Sequence, residues 1–125
     1  MHRIALTLAI AASALGLSAC EKAFEAPQDR GVCYHMGFLP DGGYKFNVVA
    51  RNIDTIEKCA AQLEGMRLRF LRLGGQNAEM IGAYQGRFIH LRRGGIFLAQ
   101  KWNGNQYLLL VRSGDGRLVN PGAVQ

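Results

Sequence analysis

A chain of 125 residues has room for one domain and a single core of modest margin. Its 15 Lys and Arg against 9 Asp and Glu give a formal net charge of +6, most of it from arginine. That balance disfavours basic partners and points to lipid phosphate, acidic glycan or an acidic protein.

Met1-His2-Arg3 makes a short positive start, and Ile4 to Leu17 is an apolar run of 14 residues broken only by Thr7, Ser13 and Gly16. A membrane-spanning helix needs about 20 apolar residues, so the length is that of a cleaved signal peptide. The run closes on Leu17-Ser18-Ala19-Cys20. This stretch resembles the lipobox of bacterial lipoproteins, in which a Leu and two small residues precede a Cys. The resemblance implies cleavage before Cys20, a diacylglycerol on its thiol and a further acyl chain on the new amino terminus. Each buried CH₂ contributes about 0.8 kcal/mol, and more than one chain is what makes anchoring stable. The same resemblance implies a protein of the bacterial cell envelope that faces the periplasm. Glu21 stands where inner-membrane lipoproteins of some Gram-negative bacteria carry Asp, so the outer membrane is the expected destination. The alternative is an ordinary signal peptide cleaved at Ala19, with Cys20 a free thiol.

Removing residues 1–19 leaves 14 basic and 9 acidic residues, a net charge of +5. Residues 20–30 read as a lipidated anchor and tether, 31–120 as one domain and 121–125 as a tail. Nucleic acid is not an expected partner outside the cytoplasm. Two cysteines remain beyond the anchor, Cys33 and Cys59, and an oxidising compartment favours a disulfide between them, contributing about 3 to 5 kcal/mol. Two buried free thiols are the alternative. Zinc fits poorly, because Cys33, Cys59, His35 and His90 lack the short paired spacings of metal sites, and no cofactor is expected.

Gly31–Phe38 and Tyr44–Arg51 are rich in aromatic and β-branched residues and flank Leu39-Pro40-Asp41-Gly42-Gly43, which has the composition of a reversing loop. In the second strand Tyr44, Phe46 and Val48 share one face. From Asn52 the period lengthens to about 3.6, with Ile53, Ile56, Ala60, Leu63, Met66 and Phe70 forming a helical stripe. Asp54 and Glu57 stand in capping-box spacing, Asn52 is an alternative cap, and Gly74-Gly75 supply a stop. Alternation then returns over Met80–Leu91, Ile96–Trp102 and Gln106–Arg112. These runs are divided by Arg92-Arg93-Gly94-Gly95 and Asn103-Gly104-Asn105, and Ser113 to Gly116 turn the chain into a last short strand near Leu118-Val119, a fourth after the helix. The expected fold is α+β: an antiparallel sheet of about five strands in the order ββαβββ, with one helix on a face.

Arg67, Arg69 and Arg72 near the helix end, with Arg92 and Arg93 at a turn, are the strongest candidates for an anion or partner site, since guanidinium groups bind carboxylate and phosphate in bidentate fashion. Cations at a helix C-terminus also complement its dipole without further function. Tyr84, Phe88 and His90 are expected on one strand face, with Gln85 and Arg87 facing solvent. Trp102 and Tyr107 near the Asn-Gly turn are candidate aromatic contacts. Catalytic patterns are absent around His35 and His90, and Asp41, Asp54, Glu57 and Asp115 are explained by turns and capping. The leading expectation is therefore a non-enzymatic interaction or assembly module. A binding module for an anionic glycan or lipid headgroup follows, and a hydrolase with a dispersed site comes third.

Overall fold

The computed structural model describes residues 25–76 and 79–123. The lipobox, Cys20 and most of the signal and anchor reading lie outside the described residues. Within them the order is β1 (Cys33–Phe38), β2 (Tyr44–Ala50), α1 (Ile56–Arg72), β3 (Met80–Tyr84), β4 (Arg87–Arg92), β5 (Gly95–Ala99), β6 (Tyr107–Arg112), β7 (Leu118–Val119) and a 3₁₀ turn at Pro121–Ala123. The class is α+β with one helix and an antiparallel sheet, but the sheet has seven strands, in the order β2-β1-β3-β4-β5-β6-β7, where about five were expected.

One of the two further strands is β7, the short last strand expected at Leu118-Val119, and the other arises within Met80–Leu91. Gln85 and Gly86 both adopt positive φ, 44° and 84°, and make a two-residue hairpin turn that pairs Tyr84 with Arg87. Two positive φ values in succession are the backbone of the tight hairpin turn, although Gln is not its usual first residue. The turn also changes the face assignment. Tyr84 lies with Ile89 and Leu91 in the core beneath the helix, whereas Phe88 belongs to a second cluster on the other side.

Helix α1 is capped later than expected, one residue after Asp54 and three after Asn52. Thr55 is the N-cap, its Oγ1 accepting from the Lys58 amide at 3.2 Å, while Asp54 makes an exposed ion pair with Lys58. The stop falls at the glycines. Gly74 takes a left-handed φ of 92°, and the amides of Gly74 and Gly75 donate to Leu71 and Phe70 at 3.1 and 3.0 Å. This is a complete Schellman motif. The buried stripe is Ile56, Cys59, Ala60, Leu63, Glu64 and Arg67, so its C-terminal half is turned away from the expected Met66 and Phe70.

Strands β2 and β3 flank β1 and are both antiparallel to it, so they run parallel to each other and need a crossover, which α1 supplies. The helix comes close where the sheet has no side chain: a Cβ on Gly82 would lie 2.3 Å from Leu63 and 2.6 Å from the Tyr34 carbonyl. The disulfide Cys33–Cys59, Cα atoms 5.3 Å apart, ties β1 to α1, and the Tyr84 hydroxyl donates to the Ile53 carbonyl at 2.5 Å.

The opposite sheet face carries its own cluster of Met36, Ala83, Phe88 and Ala99, packed by Tyr34, Tyr44, Phe46, Ile81 and Trp102. Ala26, within the stretch read as a tether, is buried in that cluster. Pro27 accepts from the Gly86 amide at 2.8 Å, and the Tyr34 hydroxyl donates to Asp29 at 2.5 Å. From Ala26 onward the chain is therefore held against the sheet.

Candidate functional site

The five candidate arginines do not form one surface. Arg67 is buried, and its Nε donates to Glu64 at 2.5 Å. Arg69 and Arg72 are exposed in the last turn of α1. Arg92 packs its guanidinium over the Phe97 ring, 4.1 Å from the centroid, and Arg93 is exposed at the β4–β5 turn. What joins the helix to that turn is Arg112, a residue the sequence did not single out. Its Nε and Nη2 donate to the Glu64 carboxylate, and its Nη1 donates to the Arg92 carbonyl at 2.6 Å and the Arg93 carbonyl at 3.2 Å. Burial pushes the Glu64 carboxyl up, but hydrogen bonds and positive charge from Arg112 and Arg67 outweigh it and hold the group below the ordinary carboxylate range. Glu64 is therefore an anion with its lone pairs in use and is poorly suited to proton transfer. The only early signal for it was a carboxylate next to Leu63 on the apolar side of the helix.

His90 is buried beside Trp102, ring centroids 6.0 Å apart. Its Nε2 has no hydrogen-bond partner among the described residues. Burial holds its pKa below the usual imidazole value, with Arg92 adding to the effect and Glu79 opposing it. His35, half-buried on β1, is lowered by burial alone. The folded state therefore prefers both rings neutral. Between the depressed folded values and the unfolded value of about 6.5, the unfolded chain binds more protons, so stability falls as pH drops through that window. Thermal melts between pH 7.5 and 5.5 are expected to show a falling melting temperature, with a shallower slope in His90→Phe. A slope unchanged by that substitution would place the titrating group elsewhere.

Trp102 and Tyr107 are on different surfaces. Trp102 is half-buried against Phe38, Phe88 and His90. Tyr107 is 63% exposed and lines a cleft of about 570 Å³ with Arg87, Leu98, Gln100, Lys101 and Asn105. Gln85 is exposed, as expected, and its Oε1 accepts from the Gly31 amide at 2.8 Å, which fastens the entry to β1. Among the described residues no three His, Cys, Asp or Glu side chains are grouped to hold a metal.

A different feature stands at the sheet edge. Among the described residues β2 pairs with β1 on one side only; Val48 within it and Phe38 and Leu39 beside it are 46, 57 and 43% exposed. Tyr44, Phe46 and Val48 share a face of β2, opposite Phe38, Met36 and Tyr34 of β1. No family model matches the chain, and no curated protein or solved structure matches it either.

Proposed function

We propose that the chain is a membrane-anchored lipoprotein of the bacterial envelope that acts as a non-enzymatic interaction module, and that it takes an extended, acidic segment of a partner protein along the outer edge of β2. The observation that carries this reading is the state of the two sheet edges. β7 at one end is two residues long and a poor template. β2 is a seven-residue strand without proline, and among the described residues no strand pairs with its outer side. A register shift at Val49 interrupts its far end, but from Tyr44 to Val48 the pairing with β1 is regular, and a regular edge of this kind invites strand addition where proline or several charges do not blunt it.

The chemistry of the edge selects the partner. Lys45 within β2 and Arg51 just after it are exposed cations, and no acidic residue lies between Tyr44 and Arg51. Main-chain bonds to β2 would supply affinity, Phe38 and Val48 would take apolar side chains, and the cations would favour an acidic strand. Lipidation at Cys20 would leave about six residues before Ala26, a reach of no more than roughly 20 Å, so the partner lies close to the membrane. The five-arginine anion site of the alternative reading is weakened by the burial of Arg67 and the stacking of Arg92 on Phe97.

The test is site-specific photo-cross-linking in intact cells, with the reactive residue at Val48 or at the exposed helix position Gln62. The expected product is a single recurrent envelope protein joined through an acidic segment to position 48 and not to position 62. Lys45→Glu combined with Val48→Asp should reduce the adduct formed from a reactive residue at position 46 at least tenfold. Cross-links only to a second copy of the chain, equal yields at both sites, or no adduct would each overturn the proposal.

A further inference from the structure

We propose that the cleft between the start of β4, the end of β5 and the β5–β6 loop binds an acidic saccharide, with the sugar ring on Tyr107 and its carboxylate between Arg87 and Lys101. The site is separate from the β2 edge and does not depend on the partner proposed for it. Strand register places it. Leu98 pairs with Tyr107, and Ile89, on the same face as Arg87, pairs with Leu98. Arg87, Leu98 and Tyr107 therefore share the side of the sheet on which the helix packs. Helix α1 packs over β1, β2, β3 and β4, and this corner, past the helix, is open.

The volume of about 570 Å³ lies within the range of small-ligand sites, about 300 to 1,000 Å³. Each wall suits one part of a sugar acid. The exposed Tyr107 ring offers an apolar face for the C–H side of a pyranose, with Leu98 as a floor. Gln100 and Asn105 carry amides that both donate and accept, as vicinal hydroxyls require. Among the described residues neither Arg87 nor Lys101 has a carboxylate partner, so both are available to an external one; the ion pairs elsewhere engage Lys58, Arg67, Arg112 and Arg117. Lys101 is placed by the turn itself, its carbonyl accepting from the Gly104 amide at 3.1 Å. Inorganic phosphate would leave the ring and amides unused, and a neutral sugar would leave two cations unmatched.

The experiment is calorimetric titration of the purified lipidated full-length chain in detergent with trigalacturonic acid, against maltotriose as the neutral control and inorganic phosphate as competitor. Trigalacturonic acid is expected to bind at least tenfold more tightly than maltotriose and not to be displaced by equimolar phosphate. Tyr107→Ala, Arg87→Gln and Lys101→Gln should each weaken it tenfold or more, with Lys101→Arg close to wild type. Tyr107 and Lys101 are exposed, so their variants carry the test should Arg87→Gln disturb folding, which a thermal melt reports. No binding, binding unchanged in the Tyr107 and Lys101 variants, equal binding of maltotriose, or displacement by phosphate would each overturn the assignment. Lys45→Glu/Val48→Asp should leave the titration unchanged, which separates failure of this site from failure at the strand edge.

Discussion

Replacing Glu64 with glutamine is expected to destabilise the domain by about 3 to 5 kcal/mol, the usual cost of leaving a buried ion pair with one partner missing. For a domain near 100 residues that corresponds to a fall in melting temperature of roughly 15 to 30 °C. Glu64 and Arg67 have side chains only 5 and 8% exposed, and Arg112 brings a second guanidinium to the same carboxylate. Without the anion, two cations share a site shielded from water. The informative comparison is the triple variant Glu64→Leu/Arg67→Met/Arg112→Met, which removes all the charge together. It is expected to lose less than Glu64→Gln alone, because well-packed apolar groups often match or exceed a buried ion cluster. A triple variant less stable than the single one would mean that the hydrogen bonds from Arg112 to the Arg92 and Arg93 carbonyls contribute more than the charge balance. Acid should act on the wild type in the same sense. Because the folded carboxyl is held below its ordinary value, the stability it contributes is present above the unfolded value of about 4.3 and is lost as pH falls through the folded one.

This cluster also marks where the sequence stopped being legible. Periodicity found the helix and glycine its end, because both are encoded within a few residues. It misplaced the C-terminal half of the buried stripe because it followed apolar residues only. The interior there is filled by a carboxylate and a guanidinium, and their burial depends on Arg112, which is 48 positions from Glu64 in the chain. A pairing so distant leaves no local pattern. Thr55 was passed over as the cap for a milder reason: Asp54 and Asn52 are equally good N-cap types, and only backbone geometry chooses among them.

The sheet was legible strand by strand except where a turn lacked its usual chemistry. Asn-Gly and the double glycines announced reversals, whereas Gln85-Gly86 did not, so one run of alternation concealed two strands and placed Tyr84 on the wrong face. The candidate cleft was legible only in part. Tyr107 was visible as an aromatic beside a turn, but Arg87 joins it across β5 through strand register, and register beyond the hairpins is a property of the assembled sheet. The exposed edge at β2 was likewise hidden, since strand order decides which strand is outermost and α1 places β3, rather than β2, on the inner side of β1.

The second large effect is expected at the disulfide. Cys33 and Cys59 are 26 positions apart, and the loop-entropy relation for that span gives about 3.5 kcal/mol of stabilisation through restriction of the unfolded chain. Cys33→Ala/Cys59→Ala is expected to lose about that much, or on the order of 15 to 25 °C in melting temperature, with added loss from the space left under the helix. Both cysteines are fully buried in the main core with Ile56, Ala60 and Leu63, so a reductant cannot reach the sulfurs while α1 is seated on the sheet. Native protein should therefore retain the bond in millimolar dithiothreitol, and reduction should become fast only at denaturant concentrations that unfold the domain. Mass spectrometry of alkylated samples across a urea series checks this directly. Reduction well below the unfolding midpoint would mean that α1 lifts from β1 as a unit, and the bond would then secure a mobile helix rather than the whole fold. Loss of the bond only together with global unfolding would make α1, β1 and the crossover one cooperative unit, with the β2 edge held rigid by the same closure that buries the disulfide.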